Sequence, residues 1–465
     1  MNPIAPETRA RAFLLLLTIL IASLSALPYA GSWNDGSRLA TVESLVDHGT
    51  WQIDDSIFVQ TPRRAELPGL SPYAPNDPEL VRHGTRDKLF IDGHYYSDKS
   101  PVPALAMASV YKLLQWSTGL TAAKTPGCFC YWMTLLFSGT AFVVSALCVD
   151  LAALRSGLPR GTRLLVTYSF VFATVALPYT RHVNNHILLL AVFALLLLAL
   201  PGDVAVSVRR LVAAGTLAGI GYSIDLGVGP VLVLCTAGYL LLRTRSARAL
   251  AVMLLCALPW FLAHHGLNYM IGGTFKPANA APEYFAWPGS PFTERNLTGG
   301  WAHPDAAHFA AYAAGLLFGA RGFLNHNLTL YLALPATVAL LRNRTRNAPL
   351  LPFAASVVVG TWLLYAAASN NYSGVCCSVR WFVPLLAPFY YLIIEGLKRF
   401  PSGRFDLALL SVWALCLSIP MWKSGPWMRD PVPGYWFIVG GALVSWLGWQ
   451  ILVAATGAHR RTRSG

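Results

Sequence analysis

Apolar runs long enough to cross a lipid bilayer recur from one end of this chain to the other, and they constrain the fold more than any other feature. A membrane-spanning helix needs about 20 largely uncharged residues. Inside hydrocarbon every backbone N–H and C=O must be satisfied within the segment, which favours the helix for runs of this length. Twelve such segments can be read, near residues 12–30, 127–149, 163–179, 186–201, 210–224, 228–242, 248–268, 322–341, 349–368, 381–397, 405–422 and 434–454. Only 12% of the 465 residues are charged, about half the share of a soluble protein, so polar side chains cannot cover a soluble body of this size. The sequence predicts an all-α polytopic membrane protein with a single integral-membrane domain over 1–465. It excludes a soluble enzyme, a disordered regulator and a secreted disulfide scaffold.

The formal net charge of +14 would suit a nucleic-acid-binding protein, but its distribution assigns it to topology. With the N-terminus on the inner side, alternating spans place 19 of the 35 basic residues in short inner segments, among them Arg9, Arg11, Arg155, Arg160, Arg163, Arg210 and Lys398. The 21 acidic residues divide the other way, 16 of them outside. This positive-inside pattern predicts a plasma (inner) membrane protein with both termini cytoplasmic, and it removes the case for a nucleic-acid partner. Arg9 and Arg11 precede the first run, but Pro28-Tyr29-Ala30 makes a poor small-x-small cleavage site, so that run is expected to remain as an anchor. Cys148, Cys235, Cys256 and Cys416 sit in apolar runs and read as small core residues. Cys128, Cys130, Cys376 and Cys377 fall near the outer face, where free thiols and a disulfide between the two pairs are both compatible with an oxidising compartment.

The loops are unequal. Inner loops are short and basic, whereas residues 31–126 and 269–321 form long outer segments, the material from which an outward-facing site can be built. Within the first, Leu39, Val42, Leu45 and Val46 fall at helical spacing with Arg38, Glu43 and Asp47 between them, which predicts an amphipathic interfacial helix over 37–48. Asp92-Gly93 between two β-prone runs predicts a hairpin. Residues 102–116 are apolar but include Lys112 and predict a second helix lying on the membrane, before the start of span two. Gly215, Gly219, Gly221, Gly227 and Gly229 mark a closely packed pair of short spans with Asp225 at its rim.

Four polar clusters can carry chemistry. Asp35, directly after the first span, is a carboxylate at the expected mouth of a membrane cavity, poised to accept a proton; an N-cap role is the competing reading. In Tyr96-Ser-Asp98-Lys99-Ser-Pro101, Lys99 opens the second interfacial helix, where a cation beside free amides would bind phosphate; a lysine reaching for the interface is the plainer alternative. Arg380 opens a span from the outer side, against the charge bias, and calls for an anionic partner: a lipid phosphate or an outer acid. In Arg181-His182-Val-Asn-Asn185-His186, the two histidines are four apart and would share a helix face, a weak metal signal without a third ligand. Tyr96, Asp98, Arg181, Asn185, His186 and Asp225 are candidates to line the cavity.

These residues resemble the motifs of the GT-C superfamily of membrane glycosyltransferases, and are most similar to the bacterial family-39 type, which includes protein mannosyltransferases and the lipid A aminoarabinose transferase. The resemblance runs through Asp35 to Gly49-Thr-Trp51, then the Tyr96-x-x-Lys99-x-Pro101 box, then Gly374 with Arg380-Trp381-x-x-Pro384. It implies a hexosyl- or pentosyltransferase working on the outer face. The donor would be a polyprenyl-phosphate sugar and the acceptor an unspecified glycan, lipid or protein. Asp35 would be the catalytic residue, acting as base or assisting catalysis, and Lys99 and Arg380 would contact the donor phosphate. Asn34 and Gly36 flank Asp35 where many relatives have a second acid, and Asn184, Asn185 and His186 stand where many place one in the second outer loop. A divalent metal is therefore not required by the sequence.

The chemistry is coherent from below. Cations in a partly dry cavity would stabilise the charge developing on a leaving phosphate, and a carboxylate would take the acceptor's proton. No nucleotide-binding glycine loop or Asp-x-Asp motif is present on the inner side. A transporter or flippase of a lipid-linked or small polar substrate is the main alternative, with Asp225 as its candidate mid-span charge; a catalytically inert structural subunit is the third.

Overall fold

A computed structural model describes residues 4–60, 69–74, 76–202, 206–293, 299–342 and 348–463. For 4–7 and 457–463 it describes the backbone alone. Helix α1 (Ile4–Ser25) leads into a compact assembly made by the first long loop. Its first element is α2 (Trp33–Glu43), prolonged by a wide π-type turn over Ser44–His48 and stopped by Gly49 at φ 69°. Next come α3 (Pro78–His83), the antiparallel hairpin of β1 (Lys88–Ile91) and β2 (His94–Ser97), and α4 (Pro101–Thr118). The hairpin has the expected turn, with Asp92 and Gly93 both at positive φ, the conformation that a two-residue connection needs.

The helix expected over 37–48 differs in start and setting. It begins at Trp33, capped by Ser32, whose hydroxyl accepts from the backbone of Asn34 and Asp35. It does not lie in an interface: every residue from Asn34 to Glu43 is buried. Leu39 and Val42 join a cluster with Phe58, Tyr73, Tyr111 and Phe129, while Glu43 accepts from the Ser56 hydroxyl at 2.5 Å and the Ile57 N–H at 3.0 Å. The polar stripe faces a polar interior, because other parts of the same loop fold over it. Helix α4 does keep an outward apolar face, with Leu105, Leu113 and Trp116 exposed, as a helix lying against lipid should.

The bundle follows: α5 (Pro126–Thr134) and α6 (Thr140–Arg155), joined by a π-type turn, α7 (Arg160–Phe172), α8 (Ala176–Tyr179), α9 (Asn185–Ala199), α10 (Val208–Ile224), α11 (Val228–Thr244) and α12 (Ala247–Gly272). The second half holds α13 (Ala306–Phe318), α14 (Phe323–His326), α15 (Ala333–Arg342), α16 (Leu351–Ala368), α17 (Leu386–Arg399), α18 (Gly403–Ser424) and α19 (Tyr435–Arg463). All twelve expected segments are helical at least in part. Among the described residues, however, 6 helices are long and apolar enough to span alone, and up to 7 if the pair bent by 106° between α14 and α15 counts as one. Segment 163–179 is interrupted because the Val175 N–H donates to Asn327 Oδ1 at 2.8 Å instead of to the helix. Segment 381–397 starts as a tight 3-10 turn, Arg380–Leu385. The second long outer segment is also shorter than 269–321 in irregular chain, since α12 runs to Gly272 and α13 occupies 306–318.

Helices α9 and α17 are buried along nearly their whole length; α9 is apolar on every side, as a buried helix should be, whereas α17 carries Glu395 and Lys398 at its end. Helix α9 packs on α6, α10 and the 380–385 turn. The outer helices α1, α12 and α19 show apolar side chains outward, the face lipid would cover. Helices α10 and α12 approach closely where a side chain at Gly215 would strike the Met253 backbone and one at Gly219 would meet Ala257, the small-residue contact common between membrane helices. All eight cysteines are free thiols.

Candidate active site

At the end of the bundle that carries the first long loop, a cavity of about 380 Å³ opens between that loop and the helix ends. Three separate pieces of chain bring cations to it: Arg38 from α2, Lys99 from the turn between β2 and α4, and Arg380 from the 3-10 turn before α17. Two carboxylates line it, Asp98 and Asp225. Polar groups, among them Asn34, Asn185, His186, His264 and Asn268, share the wall with apolar side chains such as Ile224 and Ile271. Tyr365 and Trp381 close one side as stacked rings, 4.3 Å between centroids and 5° from parallel.

Each charged group is held by local structure. Lys99 Nζ lies 2.7 Å from Asp87 and 2.7 Å from Asp98, so it is already paired twice. The expected cradle of helix amides beside it is thin, because Pro101 and Pro103 occupy the first turn of α4 and proline carries no N–H. Asp98 also accepts from the Ser37 hydroxyl at 3.2 Å. Burial and the neighbouring Asp87 push the Asp98 carboxyl above its ordinary range, against the opposing pull of Lys99. Burial lowers Arg38 to about 10, and the Arg380 charge adds to that, while Asp98 and Asp225 resist it.

Asp225 caps the break between α10 and α11, accepting from Gly227 N at 2.8 Å and Val228 N at 3.2 Å. Its other oxygen accepts from Asn185 Nδ2 at 2.6 Å, and His186 Nδ1 lies 4.0 Å away. A run of three positive-φ residues, Tyr372, Ser373 and Gly374, ends six residues before Arg380. The Ser373 hydroxyl accepts the Arg380 backbone N–H at 2.9 Å. The guanidinium sits 5.8 Å from the Trp427 ring, and its buried Nε has no hydrogen-bond partner. The guanidinium thus lines the cavity with one buried donor unused, and a buried polar group without a partner calls for an explanation.

The structure thus brings Asp98, Lys99, Asn185, His186, Asp225 and Arg380 to one cavity. Four other sequence candidates lie elsewhere. Asp35 is only 1% exposed and stands behind the cavity wall rather than at its mouth. Its carboxylate accepts from the Gly31 N–H at 2.6 Å and from the Ser32 hydroxyl, with His182 Nδ1 at 3.2 Å. His182 and His186 do not share a face, because α9 starts only at Asn185, with Asn184 as its cap. His182 therefore turns to Asp35 and His186 to the cavity. Among the described residues, no three His, Cys, Asp or Glu side chains cluster as metal ligands would. Arg181 donates to the Trp422 and Lys423 carbonyls at the end of α18, and Tyr96 packs with Leu89, Ile91, Ala278 and Phe285.

Arg38 and the α12 pair, His264 and Asn268, are cavity residues that sequence reasoning did not single out. Arg38 had a signal, since it lies three residues from Asp35 on the same first turns. The α12 pair had none, for their place depends on where α12 ends against α4: Ser100 Oγ lies 3.3 Å from His264 Nδ1.

No protein-family model matches the sequence, and no curated protein does. Solved structures do. The chain is similar to ArnT from Cupriavidus metallidurans bound to undecaprenyl phosphate, with a TM-score of 0.50 and 14% identity over 95% of this chain and 76% of that one. The apo state of the same protein gives a TM-score of 0.51 at 14% identity, with the same coverage. The chain therefore shares the polytopic helical fold of ArnT, and its long apolar helices make it an integral membrane protein.

Proposed function

We propose that the chain is a membrane glycosyltransferase that moves a sugar from a polyprenyl-phosphate donor to an acceptor on the outer side of the inner membrane, with both termini cytoplasmic. The observation that carries this reading is the meeting of Arg38, Lys99 and Arg380 with Asp98 and Asp225 in one cavity. The fold is that of a protein that binds undecaprenyl phosphate.

Lys99 is already balanced by Asp87 and Asp98, so the cation left to meet a phosphodiester anion is Arg380, whose buried Nε has no hydrogen-bond partner. Arg380 and Arg38 hold the donor phosphate through guanidinium N–H groups, and Lys99 adds its charge from between Asp87 and Asp98. The acceptor oxygen attacks the anomeric carbon. The bond from that carbon to the phosphate oxygen breaks, and the electron pair leaves with polyprenyl phosphate. Asp98 takes the acceptor's proton, since it lines the cavity and burial raises its pKa above the ordinary carboxylate value, which makes it a better base than a solvated carboxylate. Asp35 is a positioning residue: it holds Gly31, Ser32 and His182, and so sets the first turn of α2 from which Asn34 and Arg38 reach the cavity.

The test is transfer by the purified full chain from undecaprenyl-phosphate-linked sugars to envelope extracts, read by mass analysis of products. Arg380→Gln should lose transfer and weaken retention of undecaprenyl phosphate. Movement of the donor across proteoliposomes with no covalent product would instead make the protein a flippase and sink the enzyme reading.

A further inference from the structure

A second cavity, of about 430 Å³, lies at the opposite end of the bundle. Helix α9 connects the two: Asn185 and His186 line the first, Leu197 and Leu198 the second. At a rise of about 1.5 Å per residue the two ends of α9 stand roughly 20 Å apart, so this is a separate site. Its walls are apolar, with Val149, Ala152, Ala194, Leu197 and Ile394 among them. It follows α17 from Ala387 to Lys398, a groove about 16 Å long by the same rise.

Its mouth is charged. Arg155 from α6, Arg210 from α10 and Lys398 from α17 line it, with Glu395 as the one carboxylate. Glu395 accepts from the Ser156 hydroxyl at 2.8 Å and lies 3.8 Å from Lys398. Arg155 and Arg210 each donate one N–H, at 3.1 Å, to the Leu198 and Leu200 carbonyls at the end of α9. A guanidinium has five N–H donors, so each arginine has more to offer a ligand than that single bond uses.

We infer that this cavity binds an anionic glycerophospholipid, one acyl chain in the groove beside α17 and the phosphate at Arg155, Arg210 and Lys398. The two halves of the site select that occupant. A net positive mouth at the helix ends, where headgroups lie, attracts an anionic headgroup, and a long apolar groove suits a chain rather than a free anion. The lipid would tie α6, α9, α10 and α17 together at the end remote from the first cavity. This inference is independent of the transferase reading.

The experiment is native mass spectrometry of the full chain released from nanodiscs of dioleoylphosphatidylcholine with and without dioleoylphosphatidylglycerol. The phosphatidylglycerol should be retained selectively. Arg155→Gln and Lys398→Gln, both at exposed side chains, should each weaken retention about five-fold. Ala152→Phe should abolish it by filling the groove without changing charge. Should that variant fail to fold, the two charge variants still decide. Equal retention of phosphatidylcholine, unchanged retention in the charge variants, or displacement of the lipid by inorganic phosphate alone would each overturn the inference.

Discussion

Asp98→Asn separates the two carboxylates that compete for the role of base. Asp98 makes two polar contacts, from Ser37 at 3.2 Å and Lys99 at 2.7 Å. Asparagine keeps an acceptor for one of them, and Lys99 retains Asp87 at 2.7 Å, so no buried cation is stranded. The cost to folding should be about 1 kcal/mol, one net hydrogen bond. The cost to chemistry is far larger, since a positioned general base contributes about 10²–10⁴-fold. We expect kcat to fall within that range while retention of undecaprenyl phosphate changes little. Asp35→Asn should do the reverse. It disturbs a carboxylate holding the Gly31 N–H, the Ser32 hydroxyl and His182, at a cost of about 1–3 kcal/mol in stability, read as a lower Tm, with activity per folded molecule within about ten-fold of the parent. The assays are single-turnover transfer and size-exclusion melting. Asp98→Asn that transfers at the parental rate, beside a folded Asp35→Asn without activity, would refute the assignment and return the proton to Asp35.

The pH profile supplies a second check. A base whose pKa lies above 3.8 must lose its proton to act, so transfer should rise with pH through a limb above the ordinary carboxylate range, and Asp98→Asn should remove that limb. For stability the sign is opposite: the raised pKa favours the protonated fold, present in full below about 3.8 and lost as pH rises through the raised value. Arg38→Gln should weaken retention about 10–100-fold at neutral pH, as loss of a charged hydrogen bond implies. Asp225→Asn faces Asn185 Nδ2 with a second amide, and the exchange Asn185→Asp with Asp225→Asn should recover part of the lost Tm; a double variant no better than the sum of the singles would remove that pair from the cavity's support. Gly219→Val should lower Tm sharply, because its side chain meets Ala257 of α12 where neither backbone can yield.

The polytopic helical class, the hairpin at Asp92-Gly93 and the presence of Lys99 and Arg380 at one end of the bundle were legible in the sequence, because they follow from local properties: apolar run length, charge bias, turn chemistry. What the residues could not declare by themselves was which side of α2 faces the cavity. A carboxylate at Asp35 and a guanidinium at Arg38 are both polar residues on one buried helix. Only the packing of the loop against the ends of α9 and α12 turns Arg38 inward to the cavity and Asp35 back to Gly31 and His182. The start of α9 is a similar case, since Asn184 as cap parts two histidines that spacing alone would align. Helix and turn arise from neighbours along the chain, whereas a cavity is made of side chains from α2, the turn before α4, the α10–α11 break and the turn before α17, and their meeting is a property of the packed molecule.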